Sequence, residues 1–177
     1  MESNKNVVRY KMVIFGNVKV GKTSLLERYV NDRFQDSYIS TLGYNVYEKR
    51  ISYKDSEISL MIYDIGGQEK FREVRKKYAE GANTAFIVYD ITNLESFENI
   101  VNWRNDLEQF SGDIPFVLIG NKVDLENSRK VSKEKGLELS KEINALDFIE
   151  TSAKTGESVQ KAFEECAIKT YDTYIGK

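Results

Sequence analysis

The sequence predicts an α/β fold, a mostly parallel β-sheet with helices on both faces and one antiparallel hairpin strand. Short apolar runs at Met12-Val13-Ile14-Phe15, Ala85-Phe86-Ile87-Val88-Tyr89 and Phe116-Val117-Leu118-Ile119 each give way to polar or Gly residues and then to a helical pattern, which is how strands buried on both faces read. Residues 44–53 and 57–64 are both strand-like and are separated only by Lys54-Asp55-Ser56. That gap is too short for a helical crossover, so the two segments form an antiparallel hairpin. Between the second and third runs, Thr92 with Glu95 makes a capping box, and Phe97, Ile100, Val101, Leu107 and Phe110 carry a helix-period stripe.

In chain order, the first strand is followed by a helix with Leu25, Leu26, Tyr29 and Val30 in its apolar pattern. The hairpin comes next, then the second strand, the striped helix and the third strand. Pro115, the single proline, opens that strand, where a missing N–H is tolerated. The last helix carries Phe163, Cys166, Ala167 and Thr170 at helical spacing, so the one cysteine is expected in the core. No repeat, linker or low-complexity segment interrupts the chain, and residues 1–177 are expected to form one domain. A chain of this size hides about two-thirds of its unfolded surface.

Composition excludes several functions. Lys and Arg total 26 against 28 Asp and Glu, which leaves no broad basic field for nucleic acid. Histidine is absent, which removes imidazole bases, Ser-His-Asp triads and histidine-containing zinc motifs. One cysteine allows no internal disulfide and fits a reducing, cytoplasmic setting. The N-terminus has neither a signal core nor a myristoylation glycine, no apolar run is long enough to span a bilayer, and Tyr174-Ile175-Gly176-Lys177 offers no cysteine for prenylation. The expectation is a soluble monomer without a lipid anchor.

Gly16-Asn17-Val18-Lys19-Val20-Gly21-Lys22-Thr23 matches GxxxxGK[ST], directly after the first strand and directly before a helix. In that context the glycines let backbone N–H groups curl round a β-phosphate, and the helix behind presents the positive end of its dipole. Lys22 adds charge between the β- and γ-phosphates, and the Thr23 hydroxyl is suited to Mg²⁺. With Ser24 following, this segment forms the phosphate side of the site. It names a nucleoside triphosphate but not the base.

Two later segments, Asn121-Lys122-Val123-Asp124 after the third strand and Thr151-Ser152-Ala153-Lys154 after Phe148-Ile149, resemble the NKxD and SAK motifs of the Ras-like GTPase superfamily. A carboxylate such as Asp124 accepts from both the ring N–H and the exocyclic amine of guanine, whereas adenine lacks both donors on that edge. Together with the run Asp64-Ile65-Gly66-Gly67-Gln68, these motifs resemble, in order, those of the Ras-like small GTPase superfamily. Tyr38-Ile39-Ser40-Thr41-Leu42-Gly43, Gln68-Glu69-Lys70-Phe71-Arg72 and Val88-Tyr89-Asp90-Ile91-Thr92 look most like the Rab branch.

The resemblance implies a P-loop NTPase three-layer sandwich with a six-stranded sheet. It implies a slow GTPase switch binding GTP or GDP with Mg²⁺, and effector, exchange-factor and GTPase-activating partners at the switch regions. By the same resemblance Asn121 braces the loops, Lys122 lies along base and sugar, and Ser152, the Ala153 N–H and Lys154 complete the guanine side, with Phe34 packed against the base. Tyr38 and Thr41 belong to the first switch, and Thr41 ligates the metal when a γ-phosphate is present. Asp64 holds the metal through water, the Gly67 N–H meets the γ-phosphate and Gln68 positions the attacking water.

Three positions depart from the family pattern. Val18 stands where Ras has Gly and is expected to slow hydrolysis and obstruct an inserted arginine. Lys19, where Gly is common, is either a solvated cation or an internal finger on the leaving oxygens. Gly66, where Rab and Ras have Ala, puts two glycines in tandem and implies a freer hinge. Rab-type effector surfaces favour Phe and Trp where this chain has Val46 and Tyr63, leaving Tyr78 as the matching aromatic. A module that holds GTP without turnover and a P-loop kinase are the competing readings. The kinase reading gives Asp124 no role.

Overall fold

A computed structural model describes residues 6–35 and 43–175. The strands are β1 (Asn6–Gly16), β2 (Tyr44–Tyr53), β3 (Ser56–Ile65), β4 (Thr84–Asp90), β5 (Phe116–Asn121) and β6 (Asp147–Thr151). The helices are α1 (Lys22–Asn31), α2 (Arg72–Ala79), α3 (Leu94–Glu98), α4 (Ile100–Ser111), α5 (Lys133–Glu142) and α6 (Val159–Ile175). One sheet runs in the order β2-β3-β1-β4-β5-β6. All neighbours are parallel except β2 with β3. The expected α/β sheet with one antiparallel edge is therefore what forms.

Alternation along the strands divides the core between the two faces. Met12, Ile14, Phe86 and Val88 face α1 and α6, meeting Leu25, Leu26, Phe163 and Cys166. Val13, Phe15, Ala85, Ile87 and Tyr89 face the other way, toward Ala79, Ile100, Leu107 and Phe110. On the first face Tyr29 stacks on Phe163 with ring centroids 4.3 Å apart and planes 1° from parallel, and Phe86 lies 4.7 Å from Phe163. Cys166 is buried, as its spacing predicts, beside the Thr84 hydroxyl at 3.2 Å.

β1 begins at Asn6, six residues before its apolar run, because Asn6–Lys11 pair with Ser56–Met61 of β3. The hairpin turn is Lys54-Asp55, with Lys54 at φ 52° and Ser56 already in β3. At this end Tyr53 and Lys54 both bond Asp172 of α6, Ser56 and Tyr171 share a buried 3.0 Å hydrogen bond, and the Tyr53 and Tyr171 rings meet edge-on.

The striped helix differs from expectation in two ways. Asn93, not Thr92, caps it, its side chain accepting from the Ser96 N–H at 3.1 Å. Thr92 instead turns back to Asp90, donating both its N–H and its hydroxyl to Oδ1. The helix then breaks at Asn99 into α3 and α4. Within α4 Ile100, Leu107 and Phe110 are buried, while Val101, about 100° round the helix from Ile100 and on the side away from Leu107 and Phe110, is 46% exposed. Among the described residues no helix is long and apolar enough to cross a membrane.

Because β1, β3, β4, β5 and β6 run in one direction, the segments leaving them gather at one edge of the sheet. In open α/β sheets ligands bind there.

Candidate functional site

The loop from Gly16 to Gly21 leaves β1 and turns into α1 under tight constraint. Gly21 has φ +97°, and a Cβ there would stand 2.4 Å from Asn121 Nδ2, so only glycine fits. Among the described residues no side chain caps α1, and its first turn holds no acidic residue. Its first N–H groups are therefore presented, with the positive end of the dipole, to whatever anion sits on the loop.

Lys22 is buried and donates to Gly16 O at 2.8 Å and Asn17 O at 2.7 Å. Burial pushes its ammonium down to about 8, against the opposing pull of Asp64. A neighbouring polyphosphate would restore the charged form. Thr23 Oγ1 donates to Asp64 Oδ2 at 2.5 Å. The other carboxylate oxygen, Oδ1, is buried with no partner among the described residues. Burial raises the Asp64 carboxyl above its ordinary range, while the Thr23 hydrogen bond and Lys22 work the other way.

A hydroxyl and an unsatisfied carboxylate oxygen side by side fit a hydrated divalent cation. Among the described residues no group of three acidic, cysteine or histidine side chains could cage one. Mg²⁺ bound through one or two side chains, waters and substrate phosphates needs no such cage.

The second half of the site hangs on Asn121 at the end of β5. Its Nδ2 donates to Val20 O at 3.0 Å, and its Oδ1 accepts from Thr151 Oγ1 at 3.0 Å and the Ala153 N–H at 3.3 Å. One buried amide thus joins the phosphate loop to the turn after β6. Lys122, at φ 73°, reaches back to Lys19 O at 2.7 Å and to Asp90 Oδ2 at 2.8 Å. Asp124 is exposed and accepts from Ser152 Oγ at 2.7 Å, which ties one of its carboxylate oxygens to the turn after β6. Arg28 of α1 fastens the same turn from below, donating to Ala153 O at 2.8 Å and Lys154 O at 2.6 Å.

Residues 11–172 match the family model of the Ras family. Over 157 residues the chain is 44% identical to Ras-related protein Rab-2B of Dictyostelium discoideum, an alignment covering 88% of this chain and 77% of that protein. Over 159 residues it is 39% identical to Ras-related protein Rab-13 of Canis lupus familiaris, covering 89% and 78%. The chain belongs to the Ras family. It is a small GTP-binding switch protein and a GTPase, and its sequence sides with the Rab branch.

In this Ras-family chain Gly16, Asn17, Val20, Gly21, Lys22, Thr23, Asp64, Asn121, Lys122 and Asp124 lie within one network of contacts around the loop, with Ser24 in the first turn of α1. Phe34 is half-buried against the first core cluster. Val18 is 39% exposed on the loop. Lys19 lines a cavity of about 500 Å³ with Asp90, Asn93, Glu95, Lys122 and Lys130. Tyr38 and Thr41 lie outside the described residues. Gly67 packs on the phosphate loop so closely that a Cβ would meet Gly16 O at 2.5 Å and Lys22 Nζ at 2.9 Å.

The tandem-glycine segment, expected to be a free hinge, is tethered: the Gly66 N–H donates to Gly43 O at 3.0 Å, and Arg75 holds the carbonyls of Gly66 and Gln68. Sequence reasoning missed Arg28, Arg75, Asp90 and Trp103. Only Asp90 carried a local signal, as the polar end of an apolar strand.

Proposed function

We propose that residues 1–177 form one guanine-nucleotide-binding unit that takes GTP or GDP with Mg²⁺, hydrolyses GTP slowly and exposes different switch surfaces in the two states. The observation that carries this reading is the Thr23–Asp64 pair, whose second carboxylate oxygen has no partner among the described residues, set beside the N-terminus of α1.

In this reading the loop amides from Asn17 to Thr23 and the Lys22 ammonium take the phosphates. Thr23, Asp64 and, when the γ-phosphate is present, Thr41 would hold Mg²⁺, which would supply positive charge to the phosphates. Asp124 accepts from the guanine ring N–H and amine. Lys122 and Phe34 cover the base and sugar, and the Ala153 N–H donates to the guanine oxygen. Gln68 orients a water in line with the γ-phosphorus, and the Gly67 N–H stabilises charge on the transferred group. Water's oxygen bonds to phosphorus as the bond to the β-phosphate oxygen breaks, giving GDP and phosphate. Loss of that phosphate releases Thr41 and Gly67, and with them the surfaces that effectors, exchange factors and activating proteins would read.

Nucleotide released from the purified protein should be GDP or GTP by chromatography. Titration of nucleotide-free protein should show guanine over adenine preference of at least on the order of 10³. Equal affinity for ATP and GTP would overturn the reading.

A further inference from the structure

Both carbonyls that flank Gly67 are held by one side chain. Arg75, 1% exposed, donates through Nη1 to Gly66 O at 3.0 Å and to Gln68 O at 2.7 Å. Its ion pair is weak in geometry: the carboxylate of Glu69, itself exposed, comes no nearer than 3.7 Å, and Asp106 acts on it at longer range. Its Nε has no partner among the described residues. The guanidinium lies over the indole of Trp103 at 4.9 Å. That indole, the chain's single tryptophan, donates through Nε1 to Asn17 Oδ1 at 2.7 Å, and Asn99 Nδ2 approaches the same oxygen at 3.3 Å.

A guanidinium buried with so little carboxylate contact costs stability unless its hydrogen bonds do something. Here they fix backbone. A trans peptide is planar, so the Gly66 carbonyl and the Gly67 N–H point in opposite directions. Holding the carbonyl on Arg75 sets the direction of that N–H. Two glycines in a row have the most conformational freedom to lose, and Gly67 itself lies against Gly16, Val18 and Lys22 of the phosphate loop.

We infer that Arg75 is a positioning residue that fixes the Gly66–Gly67 peptide so that the Gly67 amide meets the terminal phosphate of GTP, and that Trp103 couples this grip to the phosphate loop through Asn17. The inference rests on the guanine-nucleotide reading above. A side chain that only filled the core would support GDP and GTP binding equally. One that aims the Gly67 amide discriminates between them.

The test is Arg75→Met, which keeps much of the length and volume but donates nothing. GDP affinity should stay within about threefold of the parent, while GTPγS affinity falls at least tenfold, the loss of one charge-assisted contact. Tryptophan fluorescence should change when GTPγS replaces GDP in the parent protein and lose that change in the variant. If Arg75→Met does not fold, Arg75→Lys is measured instead; its single ammonium lacks the planar fork, and GTPγS should again weaken relative to GDP. An unchanged GTPγS-to-GDP ratio in the folded variant, or equal weakening of both, overturns the inference alone. Parent protein that binds neither nucleotide overturns the guanine-nucleotide reading and this one with it.

Discussion

Replacing Asp124 with Asn tests the base-reading assignment with little disturbance to the fold. The Ser152 hydroxyl donates to Asp124 Oδ1 at 2.7 Å, and the asparagine side chain of Asp124→Asn would still offer it an oxygen. Its amide nitrogen would then take the place of the second carboxylate oxygen, facing two base donors with a donor of its own. Two charge-assisted hydrogen bonds are lost or made repulsive, each of about 1.5–3 kcal/mol. The sum of roughly 3–6 kcal/mol corresponds to about 10²–10⁴ in affinity. Xanthine offers a carbonyl where guanine has its amine, so xanthosine diphosphate should gain affinity for Asp124→Asn. Displacement of a fluorescent guanine nucleotide by GDP and by xanthosine diphosphate gives both constants. Asp124→Asn that binds GDP within threefold of the parent, with an unchanged thermal midpoint, would refute the assignment.

Val18 carries a branched side chain, 39% exposed, on the phosphate loop. Val18→Gly should therefore raise single-turnover GTP hydrolysis about tenfold, roughly 1.4 kcal/mol of barrier, from a parent rate on the order of 10⁻⁴ s⁻¹ or below; equal rates would defeat the obstruction argument. Phe163→Ala removes the stack on Tyr29 and the contact with Phe86. It should cost about 3–5 kcal/mol and lower the thermal midpoint by roughly 6–20 °C, which calorimetry reads. Burial pushes the Cys166 thiol from 9.0 up to about 11. The unfolded chain loses this proton first, so the thiol's contribution is complete below pH 9 and is lost as pH rises toward 11, by up to about 1.4 kcal/mol per unit. Urea melts from pH 8 to 10.5 should show that slope in the parent and a shallower one in Cys166→Ala; identical slopes would contradict it.

The parts of the site made of contiguous motif were legible in the sequence. Gly16–Thr23 and Asn121–Asp124 each follow a strand, and each loop geometry depends on a few residues next to one another. The hairpin was legible because a short gap between strand patterns admits no crossover. What escaped depends on contacts distant in sequence. Arg75 lies in Arg72-Glu73-Val74-Arg75-Lys76-Lys77, which reads as a solvated charged face, and nothing local says that Trp103, 28 positions on by these numbers, covers it. Arg28 likewise looks like a surface cation until the turn after β6 is folded against it. The cap of α3 was misread because Thr92-Glu95 and Asn93-Ser96 both satisfy a capping spacing. Asp90 decides between them by drawing Thr92 away. Val101 lies outside the core because it sits at the margin of the stripe, about 100° round α4 from Ile100.

The seam between the hairpin and α6 has a mechanical consequence. β2 and β3 stay in register over ten residue pairs, and their turn is pinned at the pole remote from the nucleotide by Tyr53, Lys54 and Ser56 against Tyr171 and Asp172. A slip of one residue would turn every side chain of β2 to the opposite face and tear that pin out. The hairpin is thus anchored like a beam fixed at its far end, and any sliding of β2 along β3 has to break those far-end contacts first.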